Sequence, residues 1–447
     1  MFEVPEEKAD LGSNSVRIGS GAGFADDRIQ PAVDLVREGD LDDLVLECLA
    51  ERTIALAQQR RRSDPSTGFD SRAEQWFRAL LPLAIDRGTR IVSNLGAANP
   101  LGAGRLAIGI AHELGLLCRV AVVTGDDVLD ALDLSTPCLE DGRPLDARGP
   151  VVSANAYLGA DAIAPALATG ADLVLTGRVA DPSLFLAPLA DRLGWDLSDP
   201  ATAAHGTLVG HLLECGSQLT GGYFADPGHK DVPELARLGY PWADVSANGK
   251  ALLGKLPGTG GLLDRRTARE QLLYEISDPG AYLTPDVILN LYGVTLTETA
   301  PDRVQVTGAA GSSRPDQLKV SVGYRAGHRA EAGISYAGPG CVERAQLAGD
   351  VVRQRLAALG KELRIDVVGS LSDGAPGEVA QCWLRVAGLT QSLVEAETIC
   401  HEVESLYTNG PAGGGGVRTY ITEVIGIVST LVDRDAVTPT TTVLEAS

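Results

Sequence analysis

Arg90-Ile-Val-Ser-Asn94-Leu-Gly-Ala-Ala-Asn99-Pro100 is the stretch that decides the fold. A short apolar run stops at small and turn residues, apolar positions then recur at helical spacing over 101–114, and a second run follows at 119–124. Strand, crossover helix and strand is the unit that lays strands parallel. Outward from it the pattern repeats, with strands expected at 16–18, 44–47, 151–155 and 172–176 and helices at 160–168 and 182–193. The reading is an α/β domain over 12–284, a parallel sheet with helices on both faces. Ligands of such sheets bind at the carboxyl ends of the strands.

Those strand ends are alike. They read Gly19-Ser-Gly21-Ala-Gly23-Phe-Ala-Asp-Asp27-Arg28, the Asn94 to Pro100 stretch, Thr124-Gly-Asp126-Asp127, Asn155-Ala-Tyr157-Leu-Gly159 and Thr176-Gly-Arg178-Val-Ala-Asp181-Pro. Each sets glycine, which lets backbone approach closely, beside a small polar or carboxylate side chain. Singly, such residues cap helices and make turns. Five at one sheet edge point to a site, with Gly21, Asp27, Arg28, Asn94, Asn99, Asn155 and Arg178 as candidate substrate-binding residues and Asp127 and Asp181 as candidate proton carriers. Arg178 is the anion anchor of this set, because a guanidinium matches a carboxylate or phosphate bidentately; an ion pair with Asp181 is the structural alternative.

Composition narrows the partners. The chain of 447 residues carries a formal charge of −21, which excludes nonspecific nucleic-acid binding. Glycine, at 52 residues, is in excess, while 44% apolar residues supply a large core. No apolar run is long enough to span a membrane and the acidic N-terminus does not read as a secretory signal, so a cytoplasmic protein with no membrane partner is expected. Its seven widely spaced cysteines read as reduced thiols. The Gly19–Gly23 spacing departs from a dinucleotide fingerprint, and two carboxylates follow it; no P-loop is present.

From Pro285 the texture becomes alternating strands, and the order strand, helix, strand, strand, helix, strand over 332–429 is a split βαβ. An α+β ferredoxin-like domain is expected over 285–433, with a Thr-rich frayed tail over 434–447. Its strand edges favour a homo-oligomer by sheet pairing.

The densest polar segment is Gly210-His211-Leu-Leu-Glu214-Cys215-Gly-Ser-Gln-Leu-Thr220-Gly-Gly222. On a helix, His211 and Glu214 share a face, a spacing for an acid–base pair or, with Asp126 or Asp181, for a divalent metal. Cys215 reads either as a buried thiol or as a nucleophile. Thr220, and Lys255 in Lys255-Leu-Pro-Gly-Thr-Gly-Gly261, complete the candidate ligand contacts.

These motifs, from the Gly19 loop to Lys255–Gly261, resemble the acyclic terpene utilisation A family over about 16–433. The resemblance implies breakdown of acyclic terpenoids and branched acids as coenzyme A thioesters, and a lyase role on a 3-hydroxy-3-substituted glutaryl thioester; some relatives accompany secondary metabolism. Longer members carry a further C-terminal segment. The expected function is an enzyme acting on a branched or hydroxylated acyl thioester by C–C lyase or hydratase chemistry, with coenzyme A entering as part of the substrate and a divalent metal left open as a cofactor. A Cys215-dependent hydrolase or acyltransferase and a noncatalytic acyl-binding protein are the alternatives.

Overall fold

The computed structural model describes residues 15–359, 363–371 and 379–446, so the acidic N-terminal stretch and residues 12–14 of the expected first domain lie outside them. Arg90–Ser93 is a strand, helix Pro100–Glu113 follows, and Cys118–Thr124 is the next strand of the large sheet. Asn99 starts the helix by accepting the Gly102 amide at 3.0 Å. Pro100 fits the first turn, where an N–H would have no helical partner.

Five strands run parallel in the order Ser15–Ala22, Asp43–Leu46, Arg90–Ser93, Leu173–Leu175 and Cys118–Thr124. The central ones are short apolar runs because both of their faces are covered. Leu44 and Leu46 pack with helices Ile29–Glu38, Ala73–Arg87 and Pro100–Glu113 in one core cluster. Asp43, on the alternate face, is met by Arg192 of helix Ser183–Leu193. That helix packs between Ala160–Leu167 and Pro200–Leu213.

The ten-stranded sheet is mixed. Pro241–Ser246, Ala251–Lys255, Arg303–Thr307 and Thr295–Ala300 extend it antiparallel beyond Ser15–Ala22. Three expectations are corrected here. The expected frayed tail forms strand Thr440–Ala446, antiparallel to Cys118–Thr124, because its Thr and Val are strand formers and Leu444 packs over Gly104. The segment expected at 151–155 is a strand, Val151–Ala156, but it lies outside the ten-strand order. The hairpin of Thr295–Ala300 and Arg303–Thr307, expected with the C-terminal domain, joins the large sheet, whose edge offers it unpaired backbone groups.

The described residues form two compact units. One comprises residues up to 143, 152–322 and those from 428 onward; the other comprises 144–151 and 323–427. In the second, Leu363–Leu371, Val379–Thr390 and the portions of Gln317–Ala337 and Gly415–Asp433 that fall within it are neighbours in that order. Helices Cys341–Arg355 and Leu393–Glu404 contribute Ala345, Val352, Ile399 and Val403 to a core with Ile334, Leu384 and Val386. Among the described residues no helix is long and apolar enough to cross a membrane.

Candidate functional site

Glu47, Asn94, Asp126 and Arg178 follow directly or closely on the carboxyl ends of parallel strands, so the sheet converges them. Arg178 is the centre and is 1% exposed. Its guanidinium donates to the Leu49 carbonyl and to Asp181, and it stacks 4.2 Å from the Tyr157 ring centroid. Its backbone amide donates to Asp126 at 2.9 Å, and Asp126 also accepts from Asn155 at 2.8 Å. Gly177 is required beside this carboxylate, since a Cβ there would lie 2.4 Å from Asp126 Oδ1.

Several carboxyl groups surround this one guanidinium, and burial shifts them. Glu47 accepts from the Leu49 amide at 2.8 Å and Asn94 Nδ2 at 2.9 Å; burial raises its pKa to about 7, with Arg178 only partly opposing. Asp126 is raised by burial to about 6, against the hydrogen bonds from Arg178 and Asn155. Glu51 behaves oppositely. Burial pushes it up, but the Tyr157 hydroxyl at 2.5 Å, Arg178 and Lys319 outweigh that and bring it down to about 2.

Above this network lies a cavity of about 800 Å³, within the usual range for small-molecule pockets and built wholly within the first unit. Its polar wall includes Glu51, Tyr157, Asp181, His211, Glu214 and Tyr282; Leu139, Ile276, Leu283, Ile288, Leu318 and Leu431 line the apolar side. His211 comes from the last turn of Pro200–Leu213 and Glu214 follows as its C-cap, which realises the shared face read from the sequence. His211 Nδ1 is 2.9 Å from Glu214 Oε1, and Nε2 is 3.1 Å from the Leu272 carbonyl.

A carbonyl only accepts, so Nε2 carries a hydrogen. The Nδ1–Oε1 contact then holds one further proton, on the imidazole or on the carboxyl. Burial favours neutral imidazole, yet Glu214 outweighs it and His211 is shifted upward; burial raises Glu214 as well. Glu214 Oε2 is buried without a hydrogen-bond partner. His211 has both nitrogens committed, and Glu214 Oε2 is the atom of the pair left free.

The other candidates fall in several places. Asp127 is exposed and accepts from Gln58 at 2.9 Å; its neighbour Asp126 is the buried carboxylate. Cys215 is half-buried beside Glu214, and burial first, then that carboxylate, pushes its thiol well up. Asn94 and Asn155 position Glu47 and Asp126. Gly21, Asp27, Arg28, Asn99, Thr220 and Lys255 are not brought to the cavity wall. Gly21 packs against Leu46, Asp27 closes a turn on the Gly23 amide, Arg28 reaches the Ala236 carbonyl, and Asn99 is a cap. Thr220 donates to the Gly239 carbonyl, and Lys255 pairs with Asp302 at 3.1 Å.

Sequence reasoning passed over Glu47, Glu51, Lys319 and Tyr282. Glu47 had a signal, a carboxylate ending the apolar run Leu44-Val45-Leu46, but no glycine beside it. Among the described residues no group of three or more His, Cys, Asp or Glu side chains is placed to hold a metal ion. With His211 tied at both nitrogens, the donor set foreseen for a divalent metal does not fit one.

Fold and cavity together define an α/β protein with an acid-lined cavity at the carboxyl edge of its parallel strands. The chain belongs to the acyclic terpene utilisation family of AtuA proteins, whose profile matches residues 16–443. Comparison with curated proteins and with solved structures gave no match.

Proposed function

We propose that the cavity is the active site of an enzyme that moves a proton on a branched or hydroxylated acyl thioester, within the acyclic terpene utilisation its family is named for. The observation that carries this reading is the His211–Glu214 pair, which holds a shared proton and leaves Glu214, a residue of the wall of a cavity with an apolar side, with a second carboxylate oxygen that has no hydrogen-bond partner. C–C cleavage beside a thioester carbonyl and dehydration of a 3-hydroxyacyl thioester both begin with removal of a proton, from the 3-hydroxyl or from the carbon next to the carbonyl, and in the hydration direction the base takes the proton of the attacking water. Glu214 Oε2 takes that proton. His211 holds Glu214 in place and sets its basicity, and Tyr282, whose ring centroid lies 5.2 Å from that of His211, packs the imidazole. Arg178 acts from behind the wall by fixing Asp181 and offsetting the buried carboxyls.

We read the second unit as a ferredoxin-like module, from its strand order and the two helices of its core. The competing reading, nucleophilic attack by Cys215, requires a thiolate, and the burial and neighbouring carboxylate that raise this thiol work against one. The test is mass spectrometry of a panel of branched 3-hydroxyacyl and enoyl thioesters incubated with the purified protein. Product from wild type and none above background from Glu214→Gln is the expected result. Inertness of the wild type across the panel would sink the reading, and binding without turnover would make the protein an acyl carrier.

A further inference from the structure

We propose that the cavity selects an uncharged acyl group and rejects ligands that carry a carboxylate into it, so that the thioester and not the free acid is the form recognised; this rests on the active-site reading above. Six carboxyl side chains line the cavity, Glu51, Asp181, Glu214, Glu275, Asp316 and Asp433, against two basic ones, Lys319 and His211. Both basic groups are committed. Lys319 pairs with Glu51 at 3.3 Å and lies 4.8 Å from the Tyr157 ring centroid, while His211 is held between Glu214 and the Leu272 carbonyl.

Neither Arg178 nor Arg434 offers a substitute, and Arg314, beside the lining residue Pro315, is paired with Asp161 at 2.7 Å. Arg178 is walled off, with its terminal nitrogens on Leu49 and Asp181. Arg434, which neighbours Asp316, is engaged by Asp161 and the Pro285 carbonyl. A ligand carboxylate would therefore shed water without gaining a charged partner, and it would do so near Glu275, Asp316 and Asp433, all exposed on the lining. An ester, amide or thioester carbonyl has no such cost, and a branched hydrocarbon arm has Ile276, Leu283, Ile288 and Leu431 to pack on.

Two consequences separate substrates. A glutaryl-type thioester, which bears a second carboxylate, is disfavoured relative to a branched 3-hydroxyacyl or enoyl thioester of the same length. The phosphates of coenzyme A stay outside the cavity, so a thioester truncated to N-acetylcysteamine retains recognition.

Titration calorimetry of the full chain with a branched acid, its primary amide and its N-acetylcysteamine thioester tests this. The acid is expected to bind at least ~10-fold more weakly than the two neutral ligands, about 1.4 kcal/mol. The gap should narrow with added salt and in Asp316→Asn/Asp433→Asn. Equal or tighter binding of the acid, or a gap indifferent to both salt and the double substitution, would overturn the filter. Absence of binding by all three overturns it together with the acyl reading. The same ranking without turnover supports the filter and removes only the catalytic step.

Discussion

Glu214 carries the chemistry proposed for this protein, and its neighbours explain why. The residue is 11% exposed at its side chain, has one oxygen on His211 and the other free. Glu214→Gln keeps the shape and loses the base, so kcat/KM should fall by about two orders of magnitude or more with an unchanged circular dichroism spectrum. Cys215→Ser should leave kcat/KM within a few-fold; loss of all activity would instead favour the nucleophile. Glu47 yields a stability prediction. Its pKa rises from 4.5 to about 7 on folding, so the folded state holds the proton more tightly and the stability this confers is lost as pH rises through that window. For so buried a group the loss is up to about 3 kcal/mol. In Glu47→Gln the amide oxygen can still accept from Leu49 and Asn94, and urea midpoints at pH 5 and pH 8 should show a smaller decline than in the wild type. Equal declines would show that Glu47 is not the titrating group. None of this was legible from residue types alone. The sequence placed His211 and Glu214 on one face, but the commitment of Nε2 to the Leu272 carbonyl comes from a residue 61 positions away.

At the scale of elements, the turns at the strand ends do two different jobs. Gly23 admits the backbone after helix Pro200–Leu213, since a Cβ there would lie 2.2 Å from the Cys215 carbonyl carbon and 2.5 Å from the Gly216 amide nitrogen. Gly23→Ala should cost about 1–3 kcal/mol and displace the Glu214–Cys215 corner, lowering both the melting temperature and kcat. Asn99 and Asp27, by contrast, cap and close turns, which is the structural alternative the sequence left open for them. The strand Thr440–Ala446 gives another element-scale expectation. Removing it would bare the backbone of Cys118–Thr124 along its length and uncover the side chain packing at Gly104. A chain ending before Thr440 should melt lower and aggregate, as followed by light scattering during heating. Survival of the wild-type melting temperature would mean that this strand adds little.

At the scale of the molecule, a formal charge of −21 is matched by a cavity whose lining is also acidic. The sequence by itself determined the alternation of strands and helices, the parallel heart of the sheet and the edge at which the cavity lies, because apolar periodicity and turn residues are local signals. It also carried the family marks. The tertiary structure decided which strand-end residues meet. Asp126 turns inward where Asp127 turns out, Arg178 lies behind the wall, and Glu47, Glu51 and Lys319 join from segments with no motif of their own. It also brought the last strand back to an edge more than 300 residues earlier. The physical reason is common to all of these: burial, hydrogen-bond geometry and charge pairing depend on contacts between distant segments, and those contacts exist only once the sheet has assembled.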